Sequence, residues 1–149
     1  MSALALAALL QLNPWHLHAI EVEEVAEAIG QACSGPVAKP SGEQCVAVLV
    51  AMMWVESRLE FYPPYRRTGV GPLQIVQPGA CFGSHRIGRP ACLPPHELTG
   101  PAGVRWGAVV LRWKHGYTRH LRTAVRYYNA SAGADEYVAR VMQLYRRIL

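Results

Sequence analysis

SGEQCVAVLVAMMWVESRLEFYPPYRRTGVGPLQIVQ, residues Ser41–Gln77, is the stretch that decides the fold. Between Cys45 and Leu59 it is apolar almost without a break, which predicts a helix that is buried on every side. Ser41 followed three residues later by Gln44 has the pattern of a capping box, so we expect the helix to begin there. Glu56 interrupts the apolar run, which is too short to span a bilayer comfortably.

Glu56 is the residue on which we expect the chemistry to depend. A carboxylate at the end of a buried helix loses hydration, which raises its pKa and keeps a proton on it near neutral pH. Such a group can act as a general acid. The simpler interpretation is a surface glutamate where the helix emerges, paired with Arg58, Arg66 or Arg67.

A glycine-rich block, GVGPLQI at residues 69–75, follows the helix after a basic loop. Its two glycines allow a tight turn and a close approach of the backbone to a ligand. Gln74 carries an amide donor and an acceptor, which suit sugar hydroxyl or acetamido groups. The block therefore predicts one wall of a binding cleft.

Three pieces of the sequence together resemble a known family. They are the Glu56–Ser57 pair at the end of an apolar helix, the GVGPLQI block, and AVRYYNASAGADEYVARV at residues 124–141. In this order and approximate spacing they are similar to the soluble lytic transglycosylase domain, a relative of goose-type lysozyme that cuts the glycan strands of peptidoglycan. The resemblance covers about residues 45–145 and implies a lysozyme-like domain that needs no metal or organic cofactor.

The resemblance also implies roles for individual residues. Glu56 would be the catalytic acid, and Ser57, Gln74, Tyr128 and Asn129 would bind or orient the substrate. Without the resemblance, Tyr128 is a core or interface aromatic and Asn129 a helix cap. The family usually has glycine at the position of Ser131, which puts the geometry of that turn in question.

The acidic residues narrow the mechanism. Glycoside hydrolysis ordinarily needs two carboxylates, whereas the single aspartate is Asp135 and none occupies the loop shortly after Glu56 where the hydrolytic relatives have theirs. We therefore expect a one-carboxylate route, in which Glu56 cuts between N-acetylmuramic acid and N-acetylglucosamine and leaves a 1,6-anhydro ring. Hydrolysis, with Glu97 positioning a water, is the alternative.

Length and composition predict one mainly α domain. The 149 residues are too few for two ordinary domains. We expect N-terminal helices within residues 1–40 to pack on a catalytic core of about 41–149. Apolar periodicity predicts helices over 20–33, 104–115, 121–128 and 138–148, with a small β-hairpin within 61–76 left open. The glutamates at 21, 23, 24 and 27 fit a solvated helix start that complements the helix dipole.

The four cysteines are consistent with disulfides, free thiols or a zinc site. Cys81–Cys92 and Cys33–Cys45 would each staple a loop as a disulfide, although connectivity cannot be deduced and a reduced protein is an alternative. Cys81 and Cys92 also alternate with two histidines, which raises the alternative of a zinc site; its spacing is looser than that of the usual structural sites, so we expect no metal. The histidines are His85 and His96.

The net charge of +5 suits a polyanionic partner, either a cell wall or nucleic acid. We expect peptidoglycan, and neither nucleic acid nor stable membrane insertion. Residues 1–12 are apolar but lack the features of a secretory signal, so we expect a first helix packed on the domain. This fits a bacteriophage lysin or virion component that acts in the bacterial periplasm or wall, and a bacterial enzyme missing its leader would fit equally. The alternatives are a basic helical DNA-binding protein, with Arg119, Arg122 and Arg126 on one helix, or a structural virion protein without activity.

Overall fold

The computed structural model describes residues 3–34, 39–64, 69–76, 93–129 and 133–149. These ranges are mainly helical, which confirms the predicted class. The helices are α1 (Ala3–Leu12), α2 (Ala19–Cys33), α3 (Gly42–Ser57), α4 (Gly100–Thr118), α5 (Leu121–Asn129) and α6 (Ala134–Ile148), and a 3₁₀ turn (Pro95–Leu98) precedes α4.

Helix α3 is the centre of the core. Ten of its sixteen residues are buried, and α1, α2 and α6 all pack against it. The apolar run therefore forms a helix surrounded by other helices, as its composition predicts. Glu56 lies in its last turn, so packing around α3 fixes the backbone that carries this carboxylate.

Both ends of α3 have defined geometry. Ser41 precedes the first helical residue, as predicted, but its side chain makes no capping hydrogen bond, so the expected capping box does not form. At the other end Arg58 is left-handed, with φ 58°, and its N–H donates to the carbonyl oxygens of Met53 and Trp54. Leu59 is also left-handed and fully buried. These two residues turn the chain sharply just after Glu56.

The start of α2 agrees with the prediction of a solvated, acidic first half. The backbone N–H of His18 donates to the Glu21 carboxylate over 2.7 Å, which caps the helix start. The remaining glutamates of α2 are exposed. On its apolar side α2 packs against α1, α3 and α4.

A disulfide between Cys33 and Cys45 joins the end of α2 to the start of α3, with the two Cα atoms 5.6 Å apart. This confirms one of the two predicted pairings. The other, Cys81–Cys92, lies outside the described residues. So do Cys81, His85 and Cys92 of the zinc alternative, while His96 lies in the 3₁₀ turn.

The optional β-hairpin is not confirmed. Residues 69–76 contain one isolated antiparallel bridge, in which Val70 and Ile75 exchange backbone hydrogen bonds of 3.1 and 2.9 Å. The tight turn at residues 71–74 joins these two residues, and strands are absent from the described ranges. No helix in those ranges combines the length and apolar character needed to cross a bilayer.

Replacing Leu49 by alanine should lower the free energy of unfolding by about 2–5 kcal/mol. Leu49 is fully buried in α3, so its truncation leaves a cavity at the centre of the core. Leu10→Ala is the matched control, because the Leu10 side chain is 62% exposed. Urea unfolding of both variants measures the difference, and equal losses would contradict the central position of α3.

Candidate functional site

Glu56 is half-buried in the last turn of α3. The next residue, Ser57, is buried, and its hydroxyl donates to the Met53 carbonyl oxygen over 3.1 Å. The Ser57 hydroxyl proton is thus used within the helix itself. Its predicted contact with substrate stays a prediction, whereas the local geometry gives Ser57 a structural bond at the helix end.

Tyr128 connects the C-terminal motif to the glycine-rich block. Its hydroxyl donates to the Leu73 carbonyl oxygen over 2.8 Å, across 55 residues of sequence. Burial of this hydroxyl, and then the negative charge of Glu56, raise the pKa of Tyr128 well above its ordinary value of about 10. The phenol is therefore neutral at physiological pH and lies within electrostatic range of Glu56.

Tyr137, in the second turn of α6, is a further component that the sequence reasoning did not assign. Its side chain is 8% exposed. Burial, the charge of Glu56, the presence of Tyr128 and hydrogen bonding to Glu56 all raise its pKa well above 10. The contact with Glu56 is loose, since among the described residues the buried Tyr137 hydroxyl has no partner at strict hydrogen-bond geometry.

Gln74 lies beside Leu73 in the same turn and is half-buried. Its backbone is left-handed, with φ 45°, and its side-chain amide donates to the Gly71 carbonyl oxygen over 2.9 Å. One amide hydrogen is thus used to stabilise the turn. The predicted contact of Gln74 with a sugar stays a prediction, and it would involve the other atoms of the amide group.

Gly71, the second glycine of the block, is in tight contact with the protein itself, and the expected approach of the block to a ligand stays a prediction. Gly71 has φ 76°, and a Cβ there would collide with the Leu98 carbonyl group. Gly103 on α4 approaches the same carbonyl, and a Cβ on Gly107, one turn later, would collide with the Leu73 side chain. The turn therefore sits directly on α4, and this packing fixes the Leu73 carbonyl that Tyr128 binds.

Three other acidic residues, Asp135, Glu60 and Glu97, lie elsewhere in the described part of the chain. Asp135 forms an ion pair with Arg126, which ties the start of α6 to α5. Glu60 is half-buried just beyond α3, and Glu97 is half-buried in the 3₁₀ turn. Asn129 is half-buried at the last position of α5, and Ser131 lies outside the described residues.

The structure thus brings Glu56, Tyr128 and the turn carrying Gln74 to one place. No protein-family model, curated protein or solved structure matches the chain. The candidate site therefore has to be judged on its geometry and chemistry.

A carboxylic acid beside two neutral phenols can exchange protons with a bound ligand. The phenols cannot serve as bases near neutral pH, because their raised pKa values keep them protonated. They can donate hydrogen bonds to a carboxylate or to a polar substrate. This leaves Glu56 as the proton-transfer group of the cluster.

Removing the Tyr128 hydroxyl should lower the free energy of unfolding by about 1 kcal/mol, because the Leu73 carbonyl then loses its donor. The variant is Tyr128→Phe, measured by urea unfolding. Tyr127→Phe is the control, since Tyr127 is the adjacent phenol and is 51% exposed; its effect should stay within about 0.5 kcal/mol. Equal effects of the two substitutions would show that the bond to Leu73 does not stabilise the fold.

The stability should fall as the pH rises above about 10. The folded-state pKa of Tyr137 lies well above that of the unfolded chain, so the unfolded state loses this proton first. Its free energy then falls relative to the folded state by up to about 1.4 kcal/mol per pH unit. Tyr137→Phe should remove this share of the alkaline loss while changing the stability little at pH 7. Tyr117→Phe, at an 83% exposed phenol, should keep the wild-type slope. Urea midpoints between pH 8 and 11 test both.

Proposed function

We propose that this protein cleaves the glycan strands of peptidoglycan, at the β-1,4 bond between N-acetylmuramic acid and N-acetylglucosamine. The observation that carries the proposal is the meeting of Glu56 with Tyr128, whose hydroxyl is bonded to the turn bearing Gln74. The family resemblance rests on these three segments, and their proximity to one carboxylate supports the proposal.

In the proposed reaction, Glu56 first acts as the general acid. It donates its proton to the oxygen that links C1 of N-acetylmuramic acid to C4 of N-acetylglucosamine, and the C1–O bond breaks. The acetamido oxygen of the substrate stabilises the positive charge that develops at C1. The departing sugar leaves with a free 4-hydroxyl group.

Glu56, now a carboxylate, then acts as the base. It takes the proton of the muramic C6 hydroxyl while that oxygen bonds to C1, which closes a 1,6-anhydro ring and restores the acid. One bond to C1 breaks and one forms, so no water is consumed. The ion pair of Asp135 with Arg126 supports this one-carboxylate route, because it assigns the single aspartate to a contact between α5 and α6.

Tyr137 is a positioning residue in this scheme. Its neutral hydroxyl faces Glu56 and can donate a hydrogen bond to the carboxylate form. That bond would become shorter when Glu56 has given up its proton, because a charged acceptor strengthens the interaction. The loose contact between Tyr137 and Glu56 is therefore compatible with a tighter one during the reaction.

Glu56→Gln should reduce peptidoglycan cleavage by roughly 10²- to 10⁴-fold, the usual contribution of a positioned general acid. Clearing of a peptidoglycan suspension measures the rate, and circular dichroism verifies that the variant is folded. Glu60→Gln is the matched control, because Glu60 is also half-buried and lies just beyond the helix end; it should retain activity.

Mass analysis of the released fragments distinguishes the two possible reactions. A 1,6-anhydro end lacks one water relative to a hydrolysed end, so anhydro products support the one-carboxylate route. Clearing that survives in Glu56→Gln would remove this residue from the mechanism. Wild-type protein that releases no fragment would refute the proposed function.

A further inference from the structure

A groove lies where α2 faces the residues that follow α3. Its volume is about 310 Å³. One wall is the exposed face of α2, and the other is formed by the residues that follow the catalytic end of α3 and begin α4. The described lining residues are Glu24, Glu27, Ala28, Gln31, Phe61, Tyr62 and Pro101.

The α2 wall carries the charge of the groove. Glu24 and Glu27 are three residues apart, which places both carboxylates on one face of the helix, one turn from each other. Gln31 donates its side-chain amide to Glu27 over 3.1 Å, which orients that carboxylate. None of the described lining residues is basic. The described lining of the groove is therefore negatively charged in a chain whose net charge is +5.

The opposite wall is aromatic and apolar. The rings of Phe61 and Tyr62 lie edge to face, with centroids 6.4 Å apart, and Tyr62 is 72% exposed. The Phe61 carbonyl oxygen accepts from the N–H of Gly100 over 2.9 Å. The Tyr62 hydroxyl end lies against Gly100, where an added Cβ would be only 2.6 Å from the phenolic oxygen. The wall is thus fixed to the start of α4.

This combination of surfaces suits one kind of ligand group. Two carboxylates attract a cation, aromatic faces bind cations and aliphatic carbon, and a groove of this size admits a side chain but not a globular surface. An aliphatic chain that ends in an ammonium satisfies all three features. A neutral sugar would use the aromatic wall but leave the charge of Glu24 and Glu27 without a counterpart.

On the basis of the proposed function, we propose that this groove binds the peptide stem of peptidoglycan through the side-chain ammonium of a diamino acid. The aliphatic carbons would pack on Tyr62 and Phe61, and the ammonium would lie between Glu24 and Glu27. The enzyme would then recognise strands whose stem peptides carry a free amine, and would bind cross-linked or acylated amines less well.

The distances allowed by the chain agree with this ligand. Phe61 follows Glu56 by five residues, so their Cα atoms are at most roughly 17 Å apart, and the left-handed turn at Arg58 and Leu59 shortens that span. A stem peptide begins at the lactyl group of the same muramic acid that Glu56 attacks. Its third residue lies up to roughly 10 Å along an extended chain, before its side chain is counted. A stem peptide on a sugar bound at Glu56 is therefore long enough to approach this wall of the groove.

The test compares two soluble disaccharide muropeptides that differ only in acetylation of the diamino acid's side-chain amine. Calorimetry measures the affinity of each ligand for the Glu56→Gln variant, which leaves both ligands uncut. We expect the free amine to bind about tenfold more tightly than its acetylated form, with the difference falling as salt rises. Equal affinities of the two ligands would overturn the proposal, and this comparison needs no change in the groove.

The variant Glu24→Gln with Glu27→Gln should abolish the preference and leave the affinity for the acetylated ligand unchanged. Glu23→Gln with Glu43→Gln is the matched control: it removes the same charge from two exposed positions outside the groove and should retain the preference. A preference that survives in the first double variant would overturn the assignment of the two carboxylates.

Further outcomes distinguish the amine site from self-association of the protein and from the proposed function. Self-association in sedimentation that disappears in the Glu24/Glu27 variant would show that the arginine-rich surface of a second copy fills the groove, which overturns the proposal. If the native chain leaves cell walls uncut but discriminates between the two ligands, the proposed function fails while the amine site stands. Cutting without discrimination refutes the amine site alone.

Discussion

The hydrogen bond from the Tyr128 hydroxyl to the Leu73 carbonyl is the interaction on which the geometry of the candidate site depends. The turn at residues 69–76 has one backbone bridge of its own, so its position relative to α3 is set from outside. Tyr128 supplies that constraint from the end of α5. Because the hydroxyl end of the same side chain lies within electrostatic range of Glu56, one phenol aligns the turn and the carboxylate together.

Glycine packing completes this constraint from the opposite side. Gly71 and Gly103 both approach the Leu98 carbonyl, and Gly107 accommodates Leu73. A side chain at any of these positions would push the turn away from α4 and move the carbonyl that Tyr128 binds. The turn is thus clamped between α4 and α5, while α6 places Tyr137 beside Glu56. A half-buried acid can be kept in this environment because polar hydroxyls, rather than hydrocarbon alone, face it.

The sequence was sufficient to predict the helical class and the position of α3, because apolar periodicity is a local signal. It offered the Cys33–Cys45 disulfide only as one of several possible states, and the structure shows that this pair forms. The sequence was not sufficient to predict that Tyr137 lies beside Glu56. Tyr137 continues the apolar stripe of Val138 and Val141 on α6, and a phenol on such a stripe looks like an ordinary core residue. Only the packing of α6 on α3 gives its hydroxyl a carboxylate as neighbour. The contact of Gly71 with the Leu98 carbonyl could not be predicted for a similar reason, since the two residues are far apart in sequence.

The distribution of charge connects the two candidate sites. Four of the ten acidic residues lie on α2, whereas α5 and α6 carry five arginines and two acidic residues, so the net charge of +5 is distributed unevenly among the helices. The arginines are Arg122, Arg126, Arg140, Arg146 and Arg147. A cell wall presents both carboxylates and amines, and a surface of one sign would attract one of these groups while repelling the other. Under the proposed function, an uneven distribution of charge would orient a strand as well as attract it, because orientation requires a difference in potential and not net charge.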